Sequence, residues 1–122
     1  MNYYKKRKSA FGYAIKGLST FFKDEDHPKV HAIIGLLAIG LGFYLHINLT
    51  EWIAVILCIA VVLGFEAVNS SLEQLTNIAS PNYLESAGKV KDIAAGAVLI
   101  VSIAAGIIGL IIFVPKILEL LP

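Results

Sequence analysis

The stretch FEAVNSSLEQL, residues 65–75, decides how the chain is to be read. It follows WIAVILCIAVVLG (52–64), thirteen residues without a charge, and places Glu66 directly after Phe65. An uncharged apolar run of that kind belongs in a core or a bilayer, where a carboxylate is costly. At about 100° per residue, Glu66, Asn69, Glu73 and Asn77 fall within about 80° of one another. One narrow helical stripe therefore carries two carboxylates and two amides. An acid at membrane depth marks a functional site by default.

The rest of the chain says which solvent that helix meets. In 122 residues, 57% are hydrophobic and 16% charged, with a mean hydropathy of +0.77. A single soluble domain over 1–122 would have more apolar surface than it could hide, so the expectation is an all-α integral membrane protein. Cys58 is the only cysteine and lies inside an apolar run, which makes it a packing residue. The basic N-terminus, MNYYKKRKSAFGYAIKGL, is followed by no clean apolar signal region, so the apolar segments are expected to be retained.

Three such segments are present: AIIGLLAIGLGFYLHI (32–47), WIAVILCIAVVLGF (52–65) and IAAGAVLIVSIAAGIIGLIIFV (93–114). The last is 22 residues long, enough for a hydrocarbon core of about 30 Å. The first needs flanking residues, and the second must continue through Glu66 towards Glu73. Three transmembrane helices are expected, at about 30–47, 52–73 and 92–114. The connection INLTEW (47–52), with Thr50 as a cap, and the break SPNY (80–83) separate them, and Pro115 is expected to end the third. Ala38/Gly42, Ser102/Gly106 and Ala105/Gly109 have the small-xxx-small spacing of close helix packing.

Ahead of them, Phe11, Ala14, Ile15, Leu18, Phe21 and Phe22 recur at helical spacing among lysines, predicting an amphipathic surface helix over about 5–27. Nine of the ten Lys and Arg residues fall in the N-terminal arm and the 77–92 loop, so both are expected in the cytoplasm. With Trp52 at the outer interface, Glu66 lies about 21 Å further in and Glu73 about 31 Å. Glu66 then sits just below the inner headgroups and Glu73 level with them.

Two carboxylates at that depth, beside Lys89, Lys91 and Asp92, suit a Mg²⁺–nucleotide site, with lysine as a point charge for phosphate. A deeper carboxylate suits a general base that takes a proton from an interfacial hydroxyl. The soluble nucleotide signatures are absent: no GxxxxGK[ST], no HRD or DFG, no GxGxxG after a strand. From the residues alone, a kinase stands beside an ion- or proton-coupled pore or transporter subunit using Glu66, and beside a scaffold whose acids only pack helices. No nucleic-acid partner is expected.

EAVNSSLE (66–73) followed by GKVKDIAAGAV (88–98) resembles the prokaryotic integral-membrane diacylglycerol kinase family, which includes undecaprenol kinases. GYAIKGL (12–18) and FKDEDHPKVH (22–31) match in the same order, so the resemblance covers nearly the whole chain. It implies an ATP- and Mg²⁺-dependent lipid kinase of the bacterial cytoplasmic membrane, acting on diacylglycerol or undecaprenol, and typically a homotrimer with sites shared between chains. It implies Glu66 as the general base beside the lipid hydroxyl, with Ala95 also beside the lipid, and Asn69 as its supporting amide. Glu25 and Glu73 are implied as metal ligands at the ATP site, and Lys91, Asp92, Tyr13, Tyr83 and Lys6 as nucleotide contacts. Asn77 stands where many members have aspartate, which removes an acid from the nucleotide side. His31 stands where relatives have either an acid or His, and is expected to hydrogen-bond rather than to catalyse. His27 and His46 carry no functional expectation.

Overall fold

A computed structural model describes residues 2–122 as four helices: α1 (Tyr3–Asp24), α2 (His27–Tyr44), α3 (Leu49–Ala79) and α4 (Glu85–Glu119). Among the described residues the fold is all-α, as the apolar segments and helical spacing led us to expect. α3 is the central element, packed along α4 on one side and against α2 on the other. At 1.5 Å per residue, the 31 residues of α3 and the 35 of α4 run about 46 and 52 Å, more than a hydrocarbon core. Both are long and apolar enough to cross a membrane. Their large side chains, among them Leu57, Ile100 and Leu110, point outward in quantity, the reverse of a soluble core.

The connection between α2 and α3 is built differently from the expectation of a Thr50 cap. Asn48 is the N-cap: its side chain accepts from the Glu51 amide at 2.9 Å, and Glu51 Oε2 accepts from the Asn48 amide at 3.1 Å. This reciprocal capping box leaves Thr50 inside the first turn. α2 ends in a Schellman turn, with Ile47 N donating to Gly42 O and His46 N to Phe43 O. His46 takes the left-handed residue of that turn at φ 54°, a place glycine usually fills. Ile47 is buried there, over Gly42.

Glycine is required at Gly42, because a Cβ would stand 2.9 Å from the Trp52 ring and 3.0 Å from Ile47. The same does not hold for Gly106 and Gly109, beside which a Cβ meets nothing within 4 Å. Those two small-xxx-small pairs on α4 therefore do not mark close packing within the chain. At the same end of the bundle Lys116 Nζ lies 3.5 Å from Glu51 Oε2, joining the last turn of α4 to the first of α3.

α4 continues through Pro115 to Glu119, so Pro115 does not end it. A proline there removes one hydrogen bond close to the helix end, where few bonds remain to be disturbed. α3 likewise runs past Glu73 to Ala79, where Ser80–Leu84 breaks the chain as SPNY predicted. α1 buries none of its residues, and only Phe21 and Phe22 are even half-buried. The corner from α1 to α2 is held by Lys29, whose Nζ donates to Lys23 O at 3.3 Å and to Asp26 Oδ1 at 3.5 Å.

Candidate functional site

The long uncharged run of α3 delivers Glu66 to a buried position, two turns before the helix meets charged residues again. An unpartnered carboxylate there is costly. Its partner comes from α2: His31 Nε2 lies 3.0 Å from Glu66 Oε1. The hairpin geometry brings them level, since His31 and Glu66 stand 17 residues before and 18 after Asn48 in the turn. Antiparallel helices of equal rise pair residues equidistant from their connection.

One turn along α3, Ser70 is also buried, and its Oγ donates to Glu25 Oε1 at 2.9 Å. Glu25 is the residue that caps the end of α1, where the chain leaves the helix in extended conformation. The bond fixes that carboxylate against α3. Glu25, Glu66, Asn69, Ser70 and Glu73 line one cavity of about 220 Å³, closed by Phe21, His27 and Pro28 on one side and Ala95 and Val98 on the other. Glu66 is buried, Asn69 half-buried and Glu73 exposed, so the stripe descends from solvent into the bundle. Three carboxylates at one cavity favour a cation, and every side-chain donor on the α3 stripe is oxygen or amide.

One turn beyond Glu73, the Asn77 side-chain Oδ1 accepts a hydrogen bond from Lys91 Nζ, which ties the end of α3 to the start of α4. Asn77 thus has a part in placing Lys91, although it lacks the charge of an aspartate.

Of the residues singled out in the sequence, Glu25, Glu66, Asn69, Glu73 and Ala95 meet at this cavity. Lys91 does not line it and is held by Asn77, one turn beyond Glu73. Asp92 is exposed, Tyr13 is 74% exposed and Tyr83 92%, and none of these lines the cavity. Tyr13 and Lys6 lie twelve and nineteen residues before Glu25 on α1, about 18 and 28 Å along the helix. Sequence reasoning missed Ser70 and the pairing of His31 with Glu66. Equal spacing about the INLT connection was the signal for His31. For Ser70 no signal precedes knowledge of where α1 ends.

Two helices long and apolar enough to cross a bilayer, joined to an acid-lined cavity, are features of a helical membrane protein with a polar site. The chain belongs to the prokaryotic diacylglycerol kinase family, whose model matches residues 12–113, and is a lipid kinase of that family. It is 29% identical over 107 residues to an undecaprenol kinase of Bacillus subtilis, covering 88% of this chain and 87% of the relative. It is 32% identical over 113 residues to a diacylglycerol kinase of Synechocystis, covering 92% of this chain and 65% of that longer relative. A diacylglycerol kinase of Haemophilus influenzae is 27% identical over 103 residues, with 83% and 87% covered. Membership in a kinase family brings with it the use of ATP and a lipid acceptor.

Proposed function

We propose that the protein transfers the γ-phosphate of ATP to the hydroxyl of diacylglycerol or undecaprenol at the cytoplasmic face of a bacterial membrane, with Glu66 as the general base. The observation that carries this is the buried Glu66 carboxylate, held by His31 and facing a cavity shared with Glu25 and Glu73. Glu66 takes the proton of the lipid hydroxyl as its oxygen bonds to the γ-phosphorus. The bond from that phosphorus to the β–γ bridging oxygen breaks, and ADP leaves with the electron pair.

His31 orients the carboxylate through Nε2, and Asn69, at the same cavity wall, supports it from α3. Glu25 and Glu73 would hold Mg²⁺, a cation that takes one or two carboxylates beside water and phosphate oxygens. What supports the metal is that both carboxylates line the same cavity and leave the rest of the shell to water and phosphate oxygens. Bound there, Mg²⁺ offsets phosphate charge. Lys91 would add a point charge, Asp92 and Tyr83 would meet the nucleotide outside the cavity, and Tyr13 and Lys6 would reach one only from a neighbouring chain.

A homotrimer in which α1 also serves a neighbouring chain would bring Tyr13 and Lys6, about 18 and 28 Å from Glu25 along α1, to a nucleotide. α2, about 27 Å long and close to the thickness of a hydrocarbon core, is the third span. The exposed apolar face of α1, with Phe11 and Leu18, lies on the membrane surface, and the basic N-terminal arm faces the cytoplasm. The test is transfer of labelled phosphate from ATP to each lipid by purified protein, with and without Mg²⁺. Transfer to neither lipid removes the proposal, and equal transfer without divalent cation removes the metal from it.

A further inference from the structure

His27 matches no motif in the chain, yet the fold seats it on the wall of the acid-lined cavity. It is the first residue of α2 and follows the corner that Lys29 holds. Pro28, fully buried beside it, fixes the backbone there and so the direction from which the imidazole comes. The His27 side chain itself is exposed. The ion pairs of the described residues are Lys29–Asp26, His31–Glu66 and Lys116–Glu51, so the His27 ring is committed to no carboxylate.

The cavity needs such a group. Glu25, Glu66 and Glu73 line it, and among the described residues no lysine or arginine does. A phosphoryl group brought beside Glu66 meets like charge unless hydrogen-bond donors face it. The lining side chains able to donate are Asn69, Ser70 and His27. Ser70 Oγ already donates to Glu25 Oε1 at 2.9 Å, and Asn69 shares the α3 wall with Glu66. His27 is the donor that comes from another helix. An imidazole keeps at least one N–H in its neutral and its charged form, so this capacity does not depend on protonation. Its place at the start of an 18-residue helix, the positive end of the α2 dipole, adds to the attraction for an anion. Mg²⁺ takes oxygen ligands, which leaves the imidazole to the phosphate.

We infer that His27 donates a hydrogen bond to a non-bridging oxygen of the phosphoryl group in transit from ATP to the lipid. The inference rests on the lipid-kinase function proposed above. The transferred group is the part of ATP that must share the cavity with Glu66, because Glu66 takes the proton of the attacking hydroxyl. Charge spreads over three equatorial oxygens as that group moves, so a donor aimed there holds the transition state more tightly than it holds ATP. His27 is then a catalytic residue, and loss of its N–H lowers kcat more than it raises KM for ATP.

The experiment compares wild type with His27→Ala and with His27→Gln, whose amide still donates. Transfer to whichever of diacylglycerol and undecaprenol is accepted should fall in kcat by about 10–100-fold in His27→Ala. That is below the roughly 10²–10³ of a buried oxyanion donor, because this side chain is exposed. His27→Gln should recover part of the loss, and the Mg²⁺ concentration for half-maximal activity should stay at wild type in both. An unchanged kcat in His27→Ala, or a raised Mg²⁺ requirement, overturns the inference.

Nucleotide binding without lipid separates this contact from the kinase function. With Mg²⁺ present, His27→Ala should weaken binding of β,γ-methylene-ATP by about 2–10-fold, the scale of one hydrogen bond, and leave ADP at wild type. Equal weakening of both nucleotides would overturn the contact with the transferred group. A wild type that phosphorylates neither lipid, with the selective loss of β,γ-methylene-ATP still seen in His27→Ala, would overturn the kinase function and leave the contact assigned.

Discussion

His31 Nε2 stands 3.0 Å from Glu66 Oε1, so the buried acid of α3 is held by a residue of the first turns of α2. The pair couples the orientation of the base to the packing of two helices. His31→Ala should lower kcat by about 10–100-fold with little change in KM for ATP, a part of the general-base effect of about 10²–10⁴. His31→Gln, whose amide still donates, should recover part of that loss. Steady-state kinetics on the two variants decide it, and equal kcat in both would remove the hydrogen bond from the explanation.

The Ser70 hydroxyl holds Glu25 at 2.9 Å and is the link between α1 and the carboxylates of α3. Hydrogen bonds to charged groups contribute about 1.5–3 kcal/mol, and this one is half-buried. Ser70→Ala should therefore raise the Mg²⁺ concentration for half-maximal activity by about tenfold. A fall instead would show that the hydroxyl competes with the metal for Glu25.

Lys91 and Asn77 form an exposed contact, so a charge added there acts weakly. Asn77→Asp creates an ion pair worth about 0.2–1 kcal/mol and draws Lys91 from phosphate. KM for ATP should rise less than about fivefold, and the difference should fade as salt is increased. Lys91→Ala should have the larger effect, and an Asn77→Asp change that grows with salt would contradict the assignment.

The α2–α3 turn offers two stability tests of opposite sign. Gly42→Ala drives a methyl to within 2.9 Å of Trp52 and should destabilise by about 1–3 kcal/mol. His46→Gly relieves a left-handed conformation and should stabilise by about 1 kcal/mol. Thermal unfolding in detergent measures both, and a stabilising Gly42→Ala would contradict the packing described.

The stripe Glu66–Asn69–Glu73 was legible before any coordinates because helical periodicity is a local property, and it now lines one cavity. Two of the three expected spans, α3 and α4, were legible from hydropathy for the same reason. Ser70 was not legible, since its partner Glu25 lies 45 residues away across a corner that no periodicity describes. Thr50 and Pro115 went the other way. Each carries a real local preference, but Asn48 with Glu51 made a better cap, and a proline near a helix end disturbs few bonds. Gly106 and Gly109 matched a packing motif by spacing alone, and what lies opposite them is a groove.

The most direct test of the account is phosphate transfer from labelled ATP by wild type and Glu66→Gln, each given diacylglycerol and undecaprenol side by side. Wild type should phosphorylate at least one lipid. Glu66→Gln should fall by about 10²–10⁴-fold while keeping its helix content and thermal unfolding. A Glu66→Gln protein that transfers phosphate at the wild-type rate would contradict the central claim.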